Sequence, residues 1–311
     1  MFQIIQIINI IAPLFIIIFV SAILRKLNYI HDYWSKVLNE FAVKIGLPIL
    51  LFSALAKTSF SFKAEFPLIL ANSVVVLTGF IMIIALNKIF KFTKQTFLTL
   101  FFCLTFGNIA YLGIPVITQV YGENTLSQIS LLIAIYFFWI FTVGVGYLDY
   151  ANNSNGERHI IKHLFINLFK KPLIIAIIFG IIFGILNIEI PLILNKPLNM
   201  ISTSVTPIVL LVIGIFIGSS KFGKLSEWFF IFLFSIVTLI LLPAIFYFSL
   251  KIFGFSPSNF SISIIELAMP FAITPFALAD EYNLNKKFIA HSIVLSTILS
   301  ILTLPFWMSI L

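Results

Sequence analysis

Asn108-Ile109-Ala110-Tyr111-Leu112-Gly113-Ile114-Pro115 and Ala268-Met269-Pro270-Phe271-Ala272-Ile273-Thr274-Pro275-Phe276 each place proline in the middle of an apolar stretch long enough to cross a membrane. Similar tails follow them: Tyr121-Gly122-Glu123-Asn124 after the first and Glu281-Tyr282-Asn283 after the second. Proline inside a helix removes a backbone donor and clashes with the preceding turn. In hydrocarbon such an interruption survives only where protein or a water-filled cavity covers the freed polar groups. A pair of interrupted membrane helices in corresponding positions is the best sequence pointer to a transporter's binding site.

Outward from these stretches the chain is apolar throughout. It is 61% hydrophobic and 10% charged, with a mean hydropathy of +1.14, far from the composition of soluble domains. Runs of about 20 apolar residues, each sufficient for one crossing, predict ten spans: 7–24, 37–56, 66–87, 97–121, 127–148, 172–188, 198–219, 228–250, 260–281 and 287–310. The first has no basic n-region and no small-residue cleavage site, and reads as a span rather than a signal peptide. Cys103 is the only cysteine, which excludes an intrachain disulfide and a thiolate metal cluster. No His/Glu metal spacing, base–nucleophile pair or glycine-rich phosphate loop marks an enzyme, and no cofactor is expected.

The net charge of +8 is distributed as membrane topology requires. With the N-terminus outside and loops alternating, 14 of the 19 lysines and arginines fall on the inner side, among them Arg25, Lys26, Lys94, Arg158, Lys162, Lys170, Lys171, Lys221 and Lys224. Lys57, Lys63, Lys196 and Lys251 fall outside, and Lys44 lies within a span. This is the positive-inside pattern. The partner it implies is anionic lipid, not nucleic acid. The expected location is the plasma (inner) membrane, with both termini outside.

The longest polar segment, residues 151–171 with Asn152-Asn153-Ser154-Asn155-Gly156, falls at the midpoint and divides 1–150 from 172–311. The halves share landmarks in one register. Pro13-Leu14 matches Pro172-Leu173, Leu38-Asn39 matches Leu198-Asn199, Leu47-Pro48 matches Thr206-Pro207, and Pro115 matches Pro275, all at offsets of 159 or 160. Five crossings is an odd number, so the second half enters from the opposite side. The expected fold is an all-α integral membrane protein of ten helices in two inverted five-helix repeats, with the fourth and ninth spans interrupted at 108–115 and 270–275. Half-helix ends there would expose free N–H groups and positive partial charge, an anion site.

The motifs resemble the auxin efflux carrier family. Asn108 to Pro115 is similar to its N-x-x-x-x-G-I-P segment, and Ala268 to Phe276 with Ala279 and Glu281-Tyr282-Asn283 to its A-x-P-x-x-x-x-P-F…A-x-E-Y-N segment. Asn39-Glu40-Phe41 to Leu47-Pro48 is similar to the N-x-F…V-P of its second helix. The resemblance implies helices four and nine crossing at their prolines, and carboxylate substrates held there by the asparagine and backbone dipoles. It also implies a scaffold and homodimer interface of helices one, two, six and seven, with helices three to five and eight to ten moving against it. The chain departs from the plant carriers in helix three. Where they carry A-D-T-L-Q-K, it has Ala71-Asn72-Ser73-Val74-Val75-Val76, without either charge. Their large cytosolic loop is replaced by the short Asn-rich connection.

The candidate substrate-binding residues are Asn108, Gly113, Ile114, Pro115, Pro270, Thr274 and Pro275. Asn108 offers a carboxylate two amide donors, or else serves as interhelical glue. Glu266 and Asn72 are candidate coupling residues. Glu266 is either an intramembrane carboxyl with a proton-coupling role or an interfacial residue on a helix that starts later. Lys44 follows Glu40 at i+4 and reads as its ion-pair partner; its other reading is an attractor of anions. His31, His159 and His163 read as solvated loop residues, and His291 as a group that titrates near neutral pH. The expected function is secondary transport of a small organic anion, coupled to protons, to sodium or to neither. The alternative is a sodium- or proton-coupled symporter or antiporter of the same plan with another substrate. No aspartate stands between Gly107 and Val120 or between Leu267 and Ala279, which argues against a cation/proton antiporter.

Overall fold

The computed structural model describes residues 2–58, 60, 62–152, 171–220 and 225–311, and among them every regular element is helical. We number the helices α1 (Phe2–Lys26), α2 (Asp32–Leu55), α3 (Phe62–Phe90), α4 (Lys94–Leu104), α5 (Ile109–Tyr121), α6 (Glu123–Asn152), α7 (Pro172–Ile185), α8 (Leu192–Ser219), α9 (Trp228–Ile252), α10 (Ser261–Leu267), α11 (Thr274–Leu278) and α12 (Lys286–Ile310). Seven of them, α1, α2, α3, α6, α8, α9 and α12, are long and apolar enough to cross a membrane. Most of the Asn-rich connection, with Arg158, His159, Lys162, His163 and Lys170, lies outside the described residues, as do Lys221 and Lys224.

The remaining helices are shorter. The predicted fourth span is two helices, α4 and α5, and the predicted ninth is α10 and α11. The predicted sixth, α7, ends at Ile185, after which Asn187 takes a positive φ of 49°. Several spans begin earlier than expected, among them α1 at Phe2 rather than 7, α2 at Asp32 rather than 37 and α8 at Leu192 rather than 198.

Both interruptions also lie upstream of their predicted positions, at 105–108 and 268–273 instead of 108–115 and 270–275. Pro275 falls in the first turn of α11, where no intrahelical donor is needed, and Pro115 follows the opening π turn of α5. A second device absorbs proline as well. Pro48, Pro115 and Pro243 each follow a five-residue π-helical turn, at Ala42–Gly46, Ile109–Gly113 and Val237–Leu241. Widening the turn before a proline accommodates the missing donor and the ring's clash with the preceding carbonyl, so the helix continues.

Helices α1, α2, α7 and α8 pack together through glycine. A Cβ on Gly214 of α8 would lie 1.8 Å from Ser21 Oγ and 2.2 Å from the Ile18 carbonyl of α1. A Cβ on Gly184 of α7 would meet the Leu55 and Thr58 carbonyls at 2.6 Å. Only hydrogen fits at these approaches, the means by which membrane helices gain packing contact without a hydrophobic driving force. At the surface of α2, Glu40 Oε1 pairs with Lys44 Nζ at 2.5 Å, the ion-pair reading of Lys44.

Candidate functional site

The two interruptions meet. Residues 105–108 leave the helix after Leu104, residues 268–273 leave it after Leu267, and Gly107 pairs with Phe271 as an antiparallel β-bridge. Asn108 N–H donates to the Pro270 carbonyl at 2.7 Å, and Ala272 N–H to the Phe106 carbonyl at 3.0 Å. Phe271 N–H is taken up by Ser296 Oγ of α12 at 3.1 Å. Two short extended segments thus satisfy each other's backbone groups, which buried non-helical chain requires.

On one face of this bridge lies a cavity of about 260 Å3. Asn39, Val43 and Leu47 of α2 line it, with Phe106 to Tyr111, Phe137 and Phe141 of α6, Lys171 to Ile174, and Ala272 to Thr274 with Ala277 and Leu278. The wall is mostly apolar, with a few polar groups converging on it, the usual make-up of a small-molecule site. Asn108 is 2% exposed, and its Nδ2 has no hydrogen-bond partner among the described residues. Its backbone carbonyl accepts from Leu112 and Gly113 N–H, at 3.1 and 3.0 Å, and so closes the first turn of α5. The amides from Ile109 onward are the unsatisfied donors of a helix start, carrying partial positive charge. Lys171 is the only charged side chain among the lining residues and also lies 5.2 Å from the centroid of the Phe141 ring. Tyr111 Oη donates to Asn39 Oδ1 at 2.6 Å and ties α5 to α2 at the cavity wall.

Of the seven predicted substrate-binding residues, Asn108 and Thr274 line this cavity. Pro270 holds Asn108 through its carbonyl, Gly113 is buried in the π turn, and Pro275 is buried in the first turn of α11. Ile114 and Pro115 face a separate cavity of about 630 Å3, whose other walls include Ser53 and Lys57 of the α2 end and Asn199 to Pro207 of α8. Lys171, Asn39 and Tyr111 have the strongest claim among residues not expected at the site. Lys171 reads in sequence as a topology charge, and the Asn39–Tyr111 pair is tertiary, its members 72 positions apart.

Glu266 lies inside the protein. It sits at the end of α10, 1% exposed, on the opposite face of the bridge, and neither carboxyl oxygen has a partner among the described residues. Asn72 is fully buried; its Nδ2 donates to Leu68 O at 2.8 Å and to Ser263 Oγ at 3.0 Å, one turn before Glu266. His291 is buried in α12 and stacks on Trp228 with ring centroids 5.0 Å apart.

Comparison with known proteins matches residues 6–308 to the family described as "Membrane transport protein". The chain is 25% identical over 299 residues to an uncharacterized transporter of Methanocaldococcus jannaschii, covering 94% of each chain. It is 22% identical over 307 residues to a "Putative malonate transporter" of Rhizobium meliloti, covering 96% of this chain and 93% of that one. To auxin efflux carrier component 8 of Arabidopsis thaliana it is 20% identical over 339 residues, covering 92% and 91%.

Proposed function

The chain belongs to the membrane transport protein family, that of the auxin efflux carriers, and from this premise we propose that it is a secondary transporter that moves a small organic anion through the cavity beside Asn108. It is a multi-pass membrane protein and a transporter rather than an enzyme. The observation that carries the substrate class is the unpartnered Nδ2 of Asn108 beside the free amides of α5. A buried donor without a partner is unfavourable, and a carboxylate supplies acceptors for it and for the helix start together. Lys171 adds a cation at the rim, and a relative named for malonate carries a substrate of the same chemistry.

In this reading the seven long helices, α7, and the joined pairs α4/α5 and α10/α11 make ten crossings in two inverted repeats, 1–150 and 172–311. The β-bridge is the point where the fourth and ninth spans cross. The glycine-packed group α1, α2, α7 and α8 is the scaffold and homodimer interface. The remaining helices move against it, so that access alternates between the cavity beside Asn108 and the larger one beside Pro115. Both termini face outward from the inner membrane. Glu266 and Asn72, behind the bridge, make up the coupling region.

Uptake and counterflow in proteoliposomes, run with a panel of mono- and dicarboxylates, test this. Asn108→Ala is expected to lower uptake ten- to a hundredfold, the loss of a hydrogen bond to a charged group worth about 1.5–3 kcal/mol. Undiminished uptake in that variant would remove Asn108 from the site. No saturable flux of any carboxylate would sink the organic-anion reading.

A further inference from the structure

The face of the bridge that carries Glu266 borders a second, much smaller cavity, of about 20 Å3. Its polar side chains are Thr105, Tyr136, Thr238 and Glu266, set among apolar residues, Cys103 and two glycines. The Glu266 carboxyl oxygens and the Tyr136 hydroxyl are buried and have no hydrogen-bond partners among the described residues. Thr238 Oγ1 directs its proton at the Phe234 and Ser235 carbonyls, at 3.2 and 3.0 Å, and Thr105 Oγ1 at the Phe102 carbonyl, at 3.4 Å. A hydroxyl so engaged presents only lone pairs to the cavity.

The wall therefore offers oxygen lone pairs from four elements, the first interruption, α6, α9 and α10, with the Tyr136 hydroxyl of α6 also carrying an unengaged proton. It holds no Lys, Arg or His; its titratable groups are Glu266, Tyr136 and Cys103. An unpaired carboxylate in such surroundings is strongly unfavourable unless a proton or a cation neutralises it. The space is about that of one water-sized particle, too small for a hydrated ion. A single carboxylate balances a single charge. Calcium requires six to eight oxygens, and magnesium keeps its waters. Among the described residues no three His, Cys, Asp or Glu side chains gather as transition metals require.

We propose that Glu266, with the hydroxyls of Thr105, Tyr136 and Thr238, binds one dehydrated sodium ion. Gly107 lines this cavity and the larger one beside Asn108, so a single extended segment separates the two. An ion on one side and an anion on the other attract across that segment, and each raises the other's affinity by the same factor. This coupling rests on the organic-anion reading; the ion site stands apart from it.

The test is thermal unfolding of the purified full chain in detergent, without carboxylate, in sodium, potassium or choline chloride at constant ionic strength. Stabilisation is expected to grow with the logarithm of sodium concentration and to be absent in choline. Glu266→Gln is expected to abolish the sodium response, and Thr238→Val to raise its midpoint at least tenfold; the latter carries the test should the former fail to fold. A wild-type melting point indifferent to sodium, or a sodium response retained in Glu266→Gln, overturns the site. So does a melting point that follows pH and ignores sodium, which would assign the carboxyl a proton. Sodium stabilisation without flux of any carboxylate would sink the transport reading alone. Saturable carboxylate flux with no sodium response would sink the ion site alone.

Discussion

Along α1 and α8 the backbones come so close that a Cβ on Gly214 would lie 1.8 Å from Ser21 Oγ, and the Ser21 hydroxyl there is satisfied by the Ile17 and Ile18 carbonyls. Where α4/α5 meet α10/α11 the pattern reverses: Asn108 Nδ2, Asn72 Oδ1, Tyr136 Oη and both Glu266 oxygens are buried without partners, with cavities on either face of the bridge. The α1–α8 contact at Gly214 is closed with its hydroxyl engaged, although elsewhere Ser53 Oγ of α2 and Asn195 Oδ1 of α8 are also buried without partners among the described residues. At the bridge the unmet groups border cavities, an amide donor on one face and a carboxyl and a phenol on the other. Buried polar groups are ordinarily satisfied, so the unmet groups that border cavities are the ones whose partners a bound ligand would supply.

The largest expected effect comes from breaking the closed region. Gly214→Val puts two methyl groups into space already occupied by α1 backbone, and overpacking against atoms that cannot rotate away reaches about 3 kcal/mol or more. Loss of the monodisperse peak in fluorescence-detected size exclusion is the expected result. A variant that elutes and melts like the parent would show that α1 and α8 are not held by this contact.

At the interruptions the contrast predicts loss of function with little loss of stability. Asn108→Asp replaces an amide donor with a carboxylate where the anion is to sit. Two like charges about 4 Å apart repel by about 4 kcal/mol at an effective dielectric of 20, which corresponds to roughly a thousandfold loss of affinity. Uptake should fall below detection while the melting temperature stays within a few degrees of the parent. Unfolding of this variant instead would make Asn108 a structural residue. Lys171→Gln, at the cavity rim, should raise the KM for uptake about two- to fivefold with an unchanged maximal rate, an exposed charge contributing up to about 1 kcal/mol. Because exposed charges are screened by salt, the difference should shrink at 0.5 M salt; a salt-independent loss would place the ammonium inside the site.

The two regions were unequally legible in the sequence. Hydropathy marks the long helices well because apolar length is what a bilayer demands, and the paired prolines lie close to the two interruptions. Their exact role was misread. Pro275 starts a half-helix and Pro115 follows the π turn that opens one, and the gaps fall at 105–108 and 268–273, where Gly107 and Pro270 are the only local signs. The π turns that precede Pro48, Pro115 and Pro243 have no signature separable from an ordinary helix period. Asn108 stands out as an amide in apolar sequence. Lys171 does not, because a lysine at a helix start already has a reading as a topology charge. The acceptor cavity is gathered from four separated elements, and nothing short of the fold brings Thr105, Tyr136, Thr238 and Glu266 together.

The smallest expected effect concerns a side-chain hydrogen bond that borders the cavity and joins α5 to α2, from Tyr111 Oη to Asn39 Oδ1. Tyr111→Phe removes a bond worth about 1 kcal/mol and should lower the melting temperature by about 2–4 °C. If α5 moves past α2 during transport, this bond must break in every cycle, and it favours the present arrangement over the one that follows. Its removal should then leave the counterflow rate within about twofold of the parent or raise it. A tenfold fall in rate with weaker substrate saturation would instead put the Tyr111 hydroxyl on the substrate, making Asn39 and Tyr111 a second polar pole of the cavity and erasing the distinction between a fixed wall and a moving one at this point.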